Sequence, residues 1–445
     1  MFDDYFAMRS TLWALLVVLG ACTKPNPASC LDDFCNDPAL PFCDADGSIG
    51  GTPDTCIAVQ CTPAEFKGCR DDRALVCSAD GANIDAVDCE FGCGEDGCLP
   101  CNTSDCQPPE KHIIPKYLPT VCDDLATGTL AVNADTELDT SDDTSCTSIV
   151  AQPTGPEICV VHHESITIAA NRTLTVKGTR AIALVGDRQL AVNGIVDASS
   201  NGFNNGPGGG IEKSGIGGDT VNDDIGGGGA GDRTAGGHGA TNTVSGGGAN
   251  GGAARPNPVT LSELFGGTQS TQTTFGAAAG AAGGAVTLIC CRCELSVIGT
   301  IDVNGGGGSG ASQSFSVPAK FFAAAGGGAG GNVVLQGMQI SVEGQLFSNG
   351  GGGGGGGPIT GTVGQDGRRT TECAPGGPAQ QNGGGGGAGG CGASGPTNGV
   401  AATSPGGGGG SAGFILSYTP QGVTPTIAPF AISPAFEPNG VIATN

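Results

Sequence analysis

The chain has 445 residues, with 85 Gly, 21 Cys, 1 Trp and a net charge of −24. With 38 % hydrophobic and 4 % aromatic residues, one conventional core cannot serve this length. Glycine at this density also excludes a helical protein, at about 1 kcal/mol per residue against Ala. Residues 30–165 carry 26 Asp+Glu against 5 Lys+Arg, and residues 166–445 carry 14 against 11. An acidic front with no basic patch excludes nucleic acid as a partner.

Taken in chain order, residues 1–21 form a lipoprotein signal peptide. Thr11 to Leu19 is an apolar run too short to span a bilayer, which takes about 20 residues. Leu19-Gly20-Ala21-Cys22 follows and reads as a lipobox, so Cys22 is the expected lipidation site and first mature residue. Asp3 and Asp4 make the front acidic where a basic stretch is expected, so the start is Met1 or Met8. Thr23 carries no retention signal, which points to the outer membrane and a surface-exposed protein of the bacterial cell envelope. Residues 22–29 are a short polar tether.

Residues 30–106 hold twelve cysteines, Cys30, Cys35, Cys43, Cys56, Cys61, Cys69, Cys77, Cys89, Cys93, Cys98, Cys101 and Cys106, with few apolar residues between them. An exported segment of this kind folds around disulfides, each contributing about 2–4 kcal/mol, with connectivity left open. Zinc is the alternative in a cytosolic setting. Cys43-Asp-Ala-Asp-Gly47 resembles the start of a calcium loop, but its later acidic positions are missing, so turn chemistry is the simpler reading. Residues 107–160 are a Pro-rich, acidic transition. Its Cys122, Cys146 and Cys159 are odd in number, so one must bond outside the stretch.

Residues 161–445 change character. Leu190-x-Val192-x-Gly194-x-Val196 returns as Leu295-x-Val297-x-Gly299-x-Ile301 and as Ile340-x-Val342-x-Gly344-x-Leu346. Period-two alternation predicts half-buried strands, and the Gly at a shared offset predicts a bend or close backbone approach. Asn201-Gly202, Asn304-Gly305 and Asn349-Gly350 follow the three copies and predict turns. Such units cannot bury their apolar stripe alone and must stack. The fold class expected is therefore mostly β: a right-handed parallel β-helix-like solenoid with glycine-rich insertions, preceded by a small disulfide-rich module. The glycine tracts are expected to project from one edge or to pack as extended strands. As surface loops they would tolerate deletion, for instance of Gly350–Gly356.

The chemistry-bearing motifs are few. Gly-x-Gly-x-x-Gly strings recur by chance among 85 glycines, and no phosphate-binding Gly-Lys-Ser/Thr loop exists, so no nucleotide is expected. Gly217-Gly218-Asp219 and Gly229-Ala-Gly231-Asp232 are fragments of a calcium roll and allow weak surface calcium; no other cofactor is expected. His162-His163 could join Cys159 at a metal, but the alternation around them reads as a strand that points the two rings to opposite sides. Cys290, Cys291 and Cys293 could form a thiolate site with Cys373 and Cys391. Disulfides to those two are the simpler expectation for an exported chain. Asp197 and Asp302 share a repeat position, with Arg188 and Arg292 the nearest bases. They form a carboxylate pair if the coils stack in register, or simply fit the turn after each strand.

The lipobox, the acidic Cys-rich module and the Ile-x-Val-x-Gly strands set in glycine tracts resemble the surface lipoproteins common in myxobacteria. The glycine tracts also resemble PE-PGRS proteins, whose amino-terminal domain this chain lacks. The resemblance implies location and architecture only. The function expected is a lipid-anchored envelope protein with a structural or adhesive role and no catalytic mechanism. The alternative is a β-helix that binds or cleaves extracellular polysaccharide. The partners are a membrane through the lipid, and polysaccharide or another cell surface.

Overall fold

The computed structural model describes residues 111–445 apart from 211–224, 256–262, 271–276, 312–322 and 429–430, together with short stretches between 35 and 98. Cys22, Cys30, Cys101 and Cys106, the signal peptide, the tether and the calcium-roll fragment at 217–219 lie outside the described residues. The chain divides into two compact units, Met1–Glu110 and Lys111–Asn445.

In the first unit, strand β1 (Phe42–Asp44) pairs antiparallel with β2 (Thr55–Ile57), and β6 (Cys93–Gly94) with β7 (Gly97–Cys98). Between them β3 (Phe66–Arg70), β4 (Arg73–Cys77) and β5 (Ile84–Asp88) make a three-stranded antiparallel sheet. Cys35–Cys56 and Cys61–Cys77 are bonded, and Cys43, Cys69 and Cys89 are also in disulfides. Strands this short bury little, so covalent links must hold them.

The second unit holds two parallel sheets. Long strands β11 (Ile158–Ile168), β13 (Ala181–Val192), β15 (Ala285–Val297), β17 (Asn332–Val342) and β19 (Phe414–Pro420) pair in that order. Short strands β12 (Thr173–Lys177), β14 (Ile195–Asp197), β16 (Thr300–Asp302) and β18 (Gln345–Phe347) pair in the second sheet. Each rung thus gives one long and one short strand, an arrangement compatible with a solenoid. No α-helix occurs among the described residues.

The start of this unit lies within what the sequence reads as a Pro-rich transition. From residue 111 on, that stretch is built into the rungs. β8 (Thr129–Val132) extends the long sheet beside β11, β9 (Thr136–Asp139) edges the short sheet, and β10 (Ser148–Val150) pairs antiparallel with β11. At the far end β20 (Thr426–Ile427), β21 (Ala431–Ser433) and β22 (Gly440–Ile442) join β17, β18 and β19.

The repeated strings align in register. Val192, Val297 and Val342 are paired neighbours, all fully buried, and Leu190, Leu295 and Ile340 form the adjacent column. Each such side chain contributes roughly 1.5–3 kcal/mol by leaving water. The front halves of the long strands are buried on both faces, because Ile113, Leu118 and Cys122 cover their outer side. Gly194, Gly299 and Gly344 stack at the turn. A Cβ on Gly299 would lie 1.8 Å from the carbonyl of Gly194, so only glycine lets the rungs close.

Within the described residues, the glycine tracts pack as a hydrogen-bonded body rather than projecting as loops. Gly306 donates to Ala281, Gly328 to Gly306, Gly351 to Gly328, Gly410 to Gly351 and Gly390 to Gly410, all at 2.7–2.9 Å. Separate segments are thereby laced backbone to backbone, outside any strand. Gly350–Gly356 are buried within this lattice, which corrects the expectation that they form a surface loop. Without side chains the backbones approach closely enough for peptide groups to satisfy one another inside a core. Of the three Asn-Gly pairs, Gly202 has a left-handed φ of 60°, whereas Gly305 and Gly350 enter the lattice. Asn349 N–H donates to Asn304 Oδ1 at 2.6 Å, so these asparagines form a buried ladder instead of turns.

Candidate functional site

The parallel register brings Asp197 and Asp302 side by side on adjacent short strands. One guanidinium joins them. Arg369 Nη2 donates to Asp197 Oδ2 and Arg369 Nε to Asp302 Oδ2, both at 2.5 Å. The other oxygens are used as well. Ser199 Oγ donates to Asp197 Oδ1 at 2.6 Å and Asn304 N–H to Asp302 Oδ1 at 3.0 Å. Burial pushes the Asp302 carboxyl up to about 6, against the pull of Arg369. Burial works against the charge on Arg369, but the two carboxylates hold it above its ordinary value.

Beside the clasp runs an open groove of about 860 Å³, lined among others by Glu137, Asp139, Lys177, Asp197, Asn205 and Asp366. Lys177 is drawn to Glu137 at 2.6 Å. Burial raises the Asp366 carboxyl although Gly307 N–H donates to it at 2.7 Å. The groove therefore presents carboxylates, amides and hydroxyls, a surface suited to hydrogen-bonding a polyol or attracting cations. A glycosidase needs two carboxyl groups facing each other across a bond, with room for sugar or water between. Asp197 and Asp302 are instead stacked and bridged by Arg369, which makes them a clasp.

The expected basic partners are elsewhere. Arg188 lies near Glu164 on the exposed side, 3.7 Å away. Arg292 reaches Asp187 Oδ1 at 3.1 Å, the atom that His162 Nε2 also meets at 3.1 Å, while Ala126 N–H donates to Asp187 Oδ2. This knot sits where β11, β13 and β15 break register, at His163/Ser165, Gly186/Leu190 and Cys290/Glu294. His163 instead faces Gly128.

Cys159 is bonded to Cys146, so it is not available to a metal held by the His pair. His162, Asp187 and Cys291 have ligand atoms within 4.8 Å of one another, but Cys291 is bonded to Cys122. The expectation that Cys290, Cys291 and Cys293 bridge to Cys373 and Cys391 is corrected. Cys290 bonds Cys293, and Cys373 bonds Cys391. Strand alternation sends Cys290 to the inner core and Cys291 to the outer one, where Cys122 waits. Asp232, offered by a calcium-roll fragment, is fully buried and lies 3.4 Å from Arg255.

Arg369 escaped the sequence reading because it lies in a glycine tract with no repeat to place it. One signal was present: Arg368-Arg369 is the only place in the chain where two Lys or Arg residues are adjacent.

Fold and site together define a mostly β protein with two parallel sheets, a disulfide-rich amino-terminal unit and a polar groove beside an Asp–Arg–Asp clasp. Comparison of the chain with known protein families, characterised proteins and solved structures finds no match.

Proposed function

We propose that the chain is a lipid-anchored protein of the bacterial cell envelope with a structural or adhesive role, its second unit a right-handed parallel β-solenoid. The glycine lattice carries this reading. Tracts fixed backbone to backbone make a stiff body with little chemistry inside, as a surface scaffold requires. The disulfides fit an oxidising compartment, and the bridging of Asp197 and Asp302 by Arg369 favours support over catalysis.

The test is cell fractionation with surface biotinylation of intact cells. Wild type is expected in the outer-membrane fraction and labelled, and Cys22→Ser released or left unprocessed. A Cys22→Ser protein that is processed and retained like wild type sinks the proposal.

A second reading, polysaccharide binding, is favoured by the open groove with its carboxylates and amides. Retention on immobilised polysaccharide, lost in Asp366→Ala together with Asn205→Ala, is its signature; equal retention of that variant counts against it.

A further inference from the structure

We propose that Cys290–Cys293 is a reversible redox couple that accepts two electrons from a dithiol, while the other disulfides of the second unit stay closed. The bond spans a separation of only 3 residues, against 169 for Cys122–Cys291. Loop closure therefore contributes least here. Both residues inside the small loop are pinned without it. Cys291 is bonded to Cys122, and Arg292 donates to the Cys122 carbonyl at 2.7 Å and to Asp187 Oδ1 at 3.1 Å. Opening Cys290–Cys293 thus leaves the strand break anchored.

The two sulfurs differ in access. Cys290 is fully buried, whereas Cys293 is partly exposed beside the exposed Glu294. An incoming thiolate reaches Cys293 first. The reduced form already has its partners. Cys290 Sγ lies 3.5 Å from the Glu294 carbonyl oxygen and Cys293 Sγ 3.9 Å from that of Gly186, so both thiols can donate where they stand. Cys290 pairs with glycines on both neighbouring strands, Gly186 and Gly337.

One thiolate of the dithiol attacks Cys293 Sγ, a mixed disulfide forms, and the Cys290–Cys293 bond breaks. Cys290 takes the electron pair and a proton as a thiol donating to Glu294. The second thiol of the donor, as its thiolate, then attacks the donor's own sulfur in the mixed disulfide and releases Cys293. The donor ends as a disulfide, and Cys290 and Cys293 hold two electrons and two protons.

The test titrates the folded full-length protein with dithiothreitol, followed by alkylation, mass mapping and circular dichroism. Cys290 and Cys293 should open at a thiol concentration at least about tenfold below that opening Cys122–Cys291, Cys146–Cys159 or Cys373–Cys391, with the β signal unchanged. Cys290→Ser should trap glutathione at Cys293, and the Cys290→Ser, Cys293→Ser double variant should fold and melt close to wild type. Reduction only together with the other bonds, no glutathione adduct, or failure of the double variant to fold would each overturn the proposal.

Discussion

Arg369 Nε donates to Asp302 Oδ2 at 2.5 Å across 67 residues, tying a glycine segment to the short sheet. The same guanidinium holds Asp197, 172 residues away, so one side chain fastens three parts of the chain. Asp302 is only 3 % exposed, which makes it the member of the trio that depends most on the contact.

Arg369→Ala leaves Asp302 buried beside Asp197 with no cation. Losing one partner of a buried pair typically costs about 3–5 kcal/mol. The Arg369 side chain is 41 % exposed, so water relieves part of this and the cost falls to about 2–3 kcal/mol at pH 7.5. Denaturant unfolding measures it. Adding Asp302→Asn should recover much of the loss, and if it recovers none the clasp is not the cause.

Asp302 also sets a pH dependence. Its folded value of about 6 lies above the ordinary 3.8, so the folded state binds this proton more tightly than the unfolded chain. The stabilisation is fully present below pH 3.8 and is lost as pH rises through about 6. About two pKa units correspond to about 3 kcal/mol. Between pH 4 and 7.5 wild type should therefore lose about that much more stability than Asp302→Asn. Parallel pH profiles of the two proteins would refute it.

Strand positions were legible because alternation records burial. Leu190, Val192, Leu295 and Val297 announced both strands and register. The shared offset of Asp197 and Asp302 left stacking and turn-filling both open, and the pairing of their strands stacks them. What covers a strand is a tertiary matter, so nothing in the string Ala285 to Cys291 told that Ile113 and Cys122 sit on its far side. Nor could the glycine tracts be placed. Backbone-to-backbone packing leaves no side-chain period, and a tract reads alike as loop or lattice. Arg369 inherited that blindness, since its partners are fixed by how the tracts fold back.

Inside and outside can be tested on neighbouring residues. Val297 is fully buried between Val192 and Val342, whereas Ser296 is partly exposed. Val297→Asp buries an unpaired charge and should cost several kcal/mol, about 3 or more, or abolish folding. Ser296→Asp should stay within about 1 kcal/mol. Thermal unfolding that ranks the two alike would contradict the stacked columns.

The glycine lattice makes the sharpest demand on sequence. A Cβ on Gly356 would fall 1.7 Å from the Ser404 carbonyl oxygen, and one on Gly229 would fall 1.9 Å from that of Gly409. Neither obstacle is a flexible side chain, so two backbones must part and their hydrogen bonds with them. Gly356 N–H donates to Gly384 at 2.7 Å and Gly229 N–H to Gly237 at 2.8 Å, and both bonds lie in the buried array. Losing one or two buried backbone bonds costs about 1–3 kcal/mol each, beyond the loss of packing. Gly356→Ala and Gly229→Ala should each destabilise by at least about 2 kcal/mol. Gly395 has nothing within 4 Å of its Cβ position, so Gly395→Ala should be neutral or slightly stabilising, by up to about 1 kcal/mol. Deleting Gly350–Gly356 removes a whole course of the lattice and should prevent folding of the second unit. Melting temperatures of the three alanine variants decide the matter. A Gly356→Ala protein as stable as Gly395→Ala would mean that the tracts are loosely held loops after all.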